Sequence, residues 1–523
     1  MSRVVILGAG VSGHTAAAFA RKWLDRQDEV VVVSPLPHYN WIPSNIWVGV
    51  GLMKPSQVTF PLAPVYERNR IDFRQARAVA LHPEGREGNP TPFVVAESTR
   101  PGHEGEREEI RYDFLVNATG PKLNFGATEG LGPGRHSLSV CTETHAEETA
   151  RALDAAVERM KHGERQRFLV GTGHGACTCE GAAFEYIVNL EFELRARKVR
   201  DRAEIVWITN EYELGDFGMG GMHIRSGGYV TPSKIFAESL FAERGIRWIT
   251  RAHVSRVEPG RAHYETIEGD VREVAFDFAM LLPPFSGVGL KAVDRAGTDV
   301  TPKVFQPNGF TRVDADYTAK PYEEWSARDW PSTYQSPAYP NVFAAGIAFA
   351  PPHAISRPRQ TPRGASVAPA PPRTGMPSAM IGKAVARSIV DMLRGGEPVH
   401  GDRRVDDGVP DRARLRALPG VRPRPRPHVR RGRPRRPLDQ DPAAPHVPVQ
   451  GEAPAGLEPH PGVTMATPGP ATPARPHLTE QFYATKPTRF TVFLRTFLPW
   501  QLVRFAFINL KMLRIIRRSH AGH

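Results

Sequence analysis

The amino-terminal stretch SRVVILGAGVSGHTAAAFARKWL leaves this chain little choice of fold. A short apolar strand runs into a G-x-G-x-x-G turn at Gly8, Gly10 and Gly13, and a helix rich in small residues follows. The first two glycines allow a tight turn and let a pyrophosphate approach the backbone; the third lets helix and strand pack closely. The helix N-terminus adds a partial positive charge that suits an anion. The order strand, turn, helix therefore predicts a dinucleotide-binding, Rossmann-like α/β sheet. The next strand, DEVVVVSP, ends in Ser34, where such folds usually offer an acid to a ribose. A serine hydroxyl can still hydrogen-bond there, more weakly.

Two later stretches extend the pattern. YDFLVNATGPKLNF reads as a strand ending at Ala118-Thr119-Gly120, a second turn addressed to the same ligand, and its pairing with the Gly8 turn favours FAD over a nicotinamide. RFLVGTGHGACTCEGAAFEYI is another strand, turn and helix, but its glycines, Gly171, Gly173 and Gly175, are spaced G-x-G-x-G. Cys177 and Cys179 stand where a phosphate would be expected. A helix start lowers a thiol pKa and makes the thiolate a better nucleophile. The strand that follows, AEIVWITNEYELG, ends in Thr209 and Asn210 without the acid of an NAD site, so a working NADH site is not expected.

Composition narrows the class. A chain of 523 residues, 40% apolar, is long enough for two or three domains. No run of about 18 apolar residues offers a membrane-spanning helix. The Gly8 turn starts too early for a signal peptide to precede it, which points to the cytoplasmic side. Three cysteines match neither a disulfide framework nor a zinc spacing, so no metal is expected. The net charge of +13 is not spread over the chain: from Asp402 onward there are 22 Lys and Arg against 9 Asp and Glu, while the body carries 46 of each sign. A neutral body gives no footprint for nucleic acid, and none is expected as a partner.

With GAGVSGHTAA, HYNWIPSNIWVGVG, VNATGP, SVCTETHA, CEGAAFEYIVNLEFELR, LGDFGMGGM, NVFAAGIA and PPRTGMPSAMIGKAVA all present in order, the first 395 residues resemble the sulfide:quinone oxidoreductases, a membrane-associated branch of the flavoprotein disulfide reductases. The resemblance implies two Rossmann-like doubly wound domains. Residues 1–125 and 301–398 would belong to the FAD domain and 126–300 to a second, NAD-type domain carrying the cysteine turn. It implies FAD as cofactor, with Ile42, Pro43, Ala78, Gly346 and Gly375 joining Gly8, Gly10, Gly13, Ser34, Thr119 and Gly120 around it. It implies sulfide attack on a disulfide or persulfide, two-electron reduction of the flavin and transfer to a quinone at a membrane surface; a homo-oligomer is compatible with it. Cys179 matches the cysteine before the second-domain helix, Cys141 the one in C-x-x-x-H, and His145 the histidine of that motif. Two departures stand out. PSTYQSPAYPNVF lacks a redox cysteine common before the FAAG turn, and Asp216 replaces a histidine often found in the LGxFG turn. The redox pair would then come from Cys141, Cys177 and Cys179. A type II NADH:quinone oxidoreductase is the rival enzyme, and a catalytically impaired flavoprotein or a polyanion-binding protein is the rival outside catalysis.

The tail reads differently. Residues 399–464 are Arg- and Pro-rich, cannot build a packed core, and are expected to be a disordered basic arm. A back-translation read one base on permits a peptide resembling the family's carboxy-terminal amphipathic segment, which makes a frameshift the preferred reading. Residues 465–523 then read as a fused neighbouring frame. Its last stretch, FLPWQLVRFAFINLKMLRIIRRSH, groups Arg504, Lys511, Arg514 and Arg518 on one helical face, as an interfacial membrane helix would.

Overall fold

Valine-rich strands build the first sheet of the computed structural model. The model describes residues 1–398 apart from 179, 227, 228, 372 and 374, together with Phe493, Phe497 and Trp500. Cys179 and the expectations for 399–464 and 465–523 thus lie outside the described residues, those three aromatics excepted. Strand Arg3–Leu7 lies between Glu29–Ser34 and Phe114–Asn117, with Asp72–His82 and Val342–Ala344 extending the sheet on either side, all parallel. Strands Phe93–Ser98 and Arg107–Arg111 continue it in antiparallel register.

Parallel strands are stable when both faces are covered, and the two-residue period of a strand decides which side chain goes where. Val4, Ile6, Val30 and Val32 pack with Ala16 and Ala20 of helix Val11–Trp23 and with Ile389 of helix Gly375–Leu393. Val5, Leu7, Val31 and Val33 face the other way, against Val94, Ala96 and Ile110. The two helices meet closely because one crossing residue is Gly382, where a Cβ would stand 2.3 Å from the Ser12 carbonyl oxygen.

The second sheet repeats the plan with Ile246–Ile249, Ala203–Ile208, Gln166–Thr172 and Phe278–Leu282, again all parallel. Phe168, Val170, Ile205 and Trp207 face Leu153 and Val157 of helix Glu143–Lys161 and Ile187 and Leu190 of helix Glu180–Ala196. Leu169, Val206 and Ile208 face Val254 and Ala262 of antiparallel strands Ala252–Glu258 and Arg261–Thr266. The chain thus forms the two Rossmann-like α/β sheets expected, each with helices on one face and antiparallel strands on the other. Among the described residues no helix is long and apolar enough to cross a membrane.

Candidate active site

The Gly8 turn is built as its spacing predicts. Gly8 takes a left-handed φ of +98°, and a Cβ there would lie 2.3 Å from the Ala118 carbonyl oxygen, so the first turn rests directly on the Ala118-Thr119 backbone. A Cβ on Gly13 would fall 1.9 Å from the Gly8 carbonyl oxygen, which only a glycine avoids. Gly10 differs: a Cβ there meets nothing within 4 Å. Gly10 also begins the helix without a side-chain cap, and no acid lies in its first turn. Orphan N–H groups beside open space at a helix N-terminus suit the anionic pyrophosphate of a dinucleotide.

Most of the other candidate cofactor residues adjoin this cradle or the start of its helix, and Ala78 does not. Ser34 is buried at the end of its strand. Asn117 accepts the Thr119 hydroxyl at 2.8 Å and donates to Thr311 at 2.8 Å, which holds the Thr119 turn, and Gly120 follows with φ +71° and open space at its Cβ position. Ala78 sits at a bulge in Asp72–His82 and packs against the core beneath the first sheet. Gly346, with φ +67°, comes so close to helix Val11–Trp23 that a Cβ would lie 1.9 Å from Ser12 Oγ; that hydroxyl donates to the Ser378 carbonyl at 2.9 Å. A Cβ on Gly375 would touch Pro43 at 3.6 Å, next to the exposed Ile42. The starts of two helices, the Gly346 turn and the Ile42–Ser44 turn therefore meet in one place.

One stretch, 366–375, ties this cradle to the cysteine turn. Ala368 N–H donates to the Gly175 carbonyl at 2.8 Å. Thr178 forms a parallel bridge with Ala370, and its hydroxyl donates to the Pro371 carbonyl at 3.2 Å. Arg373 donates to the Ile347 carbonyl at 3.1 Å, beside Gly346. The same stretch closes the second glycine turn. A Cβ on Gly175 would lie 2.2 Å from the Ser366 carbonyl oxygen and 2.8 Å from His253 Nδ1, and the Gly175 N–H points to that nitrogen at 3.2 Å. Asn210 spends its amide on the Gly175 and Cys177 carbonyls, and Thr209 donates to Glu211. The Gly175 N–H and the Asn210 amide nitrogen, two groups that would face a second dinucleotide, are thus engaged within the protein.

The cysteines fall in unlike surroundings. Cys177 is fully buried in the core of the second sheet, and its thiol donates to the Leu282 carbonyl at 2.8 Å. Cys141 is half-buried just before helix Glu143–Lys161, packed against that core, with its N–H on Ser139 Oγ. Thr142 caps the helix by accepting the His145 N–H at 3.1 Å, and Glu143 reaches His38 at 2.9 Å. His145 turns edge-on to Phe125, and its Nδ1 is buried with no hydrogen-bond partner among the described residues. Burial holds its imidazole below the ordinary value, Glu148 and Glu143 opposing. Burial thus favours the neutral ring, and Nδ1 is without a partner among the described residues.

Three carboxyls gather where the sequence drew attention only to Asp216. Glu180 is fully buried at the start of its helix, its carboxyl without a well-formed hydrogen bond among the described residues although its own and the Ala370 N–H groups act on it to favour the charge. Glu211 is fully buried and accepts from Thr209 Oγ1 and the Phe217 N–H. Asp216 accepts the Tyr212 and Gly218 N–H groups at 2.9 and 2.6 Å. Burial, and after it the neighbouring acids, pushes Glu180 well above the carboxylate range and Glu211 up to about 8; burial raises Asp216 against its two backbone donors.

No family model matches the chain. A sulfide-quinone reductase of Aquifex aeolicus is 30% identical over 400 residues, 76% of this chain and 79% of that protein. A mitochondrial sulfide:quinone oxidoreductase of Dictyostelium discoideum is 22% identical over 351 residues, 66% of this chain and 65% of the other. The solved structure of the sulfide:quinone oxidoreductase from Aquifex aeolicus superposes with a TM-score of 0.59 at 29% identity, covering 76% of this chain and 78% of that one.

Proposed function

Because the chain belongs to the sulfide:quinone reductase family, we propose that it is a flavoenzyme that holds FAD on the Gly8 cradle and passes two electrons from sulfide to a quinone. The observation that carries this reading is the 366–375 stretch, which joins the residue before Cys179 to the Gly346 turn and helix Gly375–Leu393. It supports sulfur chemistry beside the flavin, where bound FAD would take up the electron pair and hand it on to quinone. In the sum, hydrosulfide becomes zero-valent sulfur and gives up one proton and two electrons. The quinone gains those electrons and two protons, the second from solvent.

Within that scheme Cys179 is the nucleophile that holds the sulfur, and Cys141 is its redox partner. Cys177, sealed in the core with its thiol on Leu282, is a packing residue. His145 accepts a proton on its unused Nδ1, for which a neutral imidazole is needed. The filled second turn favours this reading over a nicotinamide-driven quinone reductase. Large apolar side chains stand exposed on both sides of the Pro43–Gly375 contact, namely Trp41, Ile42 and Trp47 on one and Met376 and Met380 on the other. They suit a peripheral approach to the cytoplasmic membrane surface and an apolar quinone. Purified protein should reduce a short-chain ubiquinone analogue with sulfide as the only donor. Flavin-loaded protein that turns over with NADH and ignores sulfide would defeat the proposal.

A further inference from the structure

We propose that His38 and Glu143 are positioning residues that lock the turn carrying Cys141 to the segment 38–51, and so hold that turn still for the sulfur chemistry. The inference rests on the reading of Cys141 as a working thiol. It begins from the path of the chain after strand Glu29–Ser34. The segment forms strand His38–Asn40 against Thr59–Pro61 and then helix Asn45–Gly49. That helix packs in the core of the second sheet rather than the first, through Ile46 and Val48.

The segment grips the Cys141 turn on both flanks. Before the cysteine, Gly49 lies so close to Val140 that a Cβ would stand 2.7 Å from Val140 Cγ1, and the Tyr186 hydroxyl donates to the Gly49 carbonyl at 3.3 Å. After it, both oxygens of Glu143, the first residue of helix Glu143–Lys161, face the segment. His38 Nε2 stands 2.9 Å from Oε1. The Asn40 side chain lies 3.3 Å from Oε2, and its amide nitrogen is the end that suits that acceptor.

Neither flank follows from local preference. A glutamate at a helix start is already favoured by the helix dipole and needs no partner there, yet Glu143 is drawn onto a histidine 105 residues away in sequence. Asn45 is fully buried, a position an amide tolerates only when its hydrogen bonds are made, and its amide and that of Asn40 face each other at 2.9 and 3.0 Å. That buried pair admits one register of the segment, and the register sets His38 and Asn40 on Glu143. The Thr142 cap, which accepts the His145 N–H at 3.1 Å, joins His145 to the same turn. Cys141 and His145 are thus braced together by residues of another part of the chain.

The test compares flavin-loaded parent, His38→Ala and His38→Gln, since a glutamine amide reaches about as far as His38 Nε2 and can donate to Glu143 in its place. Amide hydrogen exchange is read first, at a single pH and without sulfide. Exchange of residues 140–146 should be about tenfold faster in His38→Ala, confined to that turn and to the segment 38–51, and close to parental in His38→Gln. Unchanged exchange at 140–146 in His38→Ala, or faster exchange throughout the protein, overturns the brace. Should His38→Ala fail to fold, Glu143→Ala set against Glu143→Gln carries the same expectation and the same contradiction. Sulfide-driven flavin reduction is read second. Its limiting rate should fall about tenfold in His38→Ala, with the half-saturating sulfide concentration unchanged, and recover in His38→Gln. A parental limiting rate in a variant whose turn has loosened overturns the positioning role. A parent that sulfide does not reduce defeats the sulfide reading instead, and the exchange measurement still decides the brace.

Discussion

Thr178 and Ala370 pair as neighbouring strands do, and the Thr178 hydroxyl reaches on to Pro371 at 3.2 Å. Residues far apart in sequence thereby place the step into helix Glu180–Ala196 on the chain that leads to helix Gly375–Leu393. Substituting Thr178 by Val removes the hydroxyl and keeps the β-branched shape. The lost hydrogen bond should cost about 1 kcal/mol of stability. The rate of sulfide-driven flavin reduction should fall more than stability does, because the turn loses its alignment. Denaturant unfolding and stopped-flow absorbance on the same preparation check both.

The two glycines of the first turn should fail in different ways. Gly10→Val fills space that is open in the protein, so the chain should fold and come out colourless. Gly13→Val drives a side chain into the Gly8 carbonyl, and such overpacking costs about 1–3 kcal/mol or more. Flavin released per chain, set beside melting of the flavin-free proteins, separates a lost ligand from a strained fold. Normal flavin content in Gly10→Val would remove the cradle from the account.

That contrast shows what could be read from the sequence. The Gly8 turn is local: strand period, glycine spacing and small-residue helix lie within 23 residues of each other, and the structure uses each glycine for its own reason. The inward placement of Cys177 could not be read, because C-x-C spacing says nothing about which thiol meets the Leu282 carbonyl across the sheet. Nor could the role of 366–375, whose partners at Gly175, Thr178 and Ile347 are long-range. Asp216 is legible as a departure in the LGxFG turn, but its company with Glu180 and Glu211 depends on the fold. The one local hint was the acid-rich EYELGD after a strand that should have ended at a ribose.

Cys177→Ser should be nearly silent in catalysis and visible in stability. The serine hydroxyl can donate to Leu282 as the thiol does, but burying a more polar group in this core should cost about 1–3 kcal/mol. Sulfide-driven bleaching should persist at close to the parental rate. Its abolition in correctly folded Cys177→Ser would make Cys177 part of the redox pair.

Stability should carry the mark of Glu211. Burial, and after it Asp216, pushes its folded carboxyl up to about 8 from an ordinary 4.5, so the folded state binds more protons than the unfolded one between those limits. Its contribution is complete below the unfolded value and is lost as pH rises through the folded one, at no more than about 1.4 kcal/mol per unit. The melting temperature of Glu211→Gln relative to the parent should therefore climb from pH 5 to pH 8. A difference that is flat, or that falls, would mean the carboxyl is charged in the folded protein at neutral pH.

The most direct measurement is an anaerobic titration of the flavin-loaded protein with sulfide and, separately, with NADH, followed by flavin absorbance, in the parent and in Cys179→Ser. The account predicts rapid bleaching of the parent by sulfide, none on the same timescale by NADH, and no sulfide bleaching in Cys179→Ser although its flavin stays bound. Equal bleaching of parent and Cys179→Ser by sulfide, or bleaching by NADH alone, would contradict it.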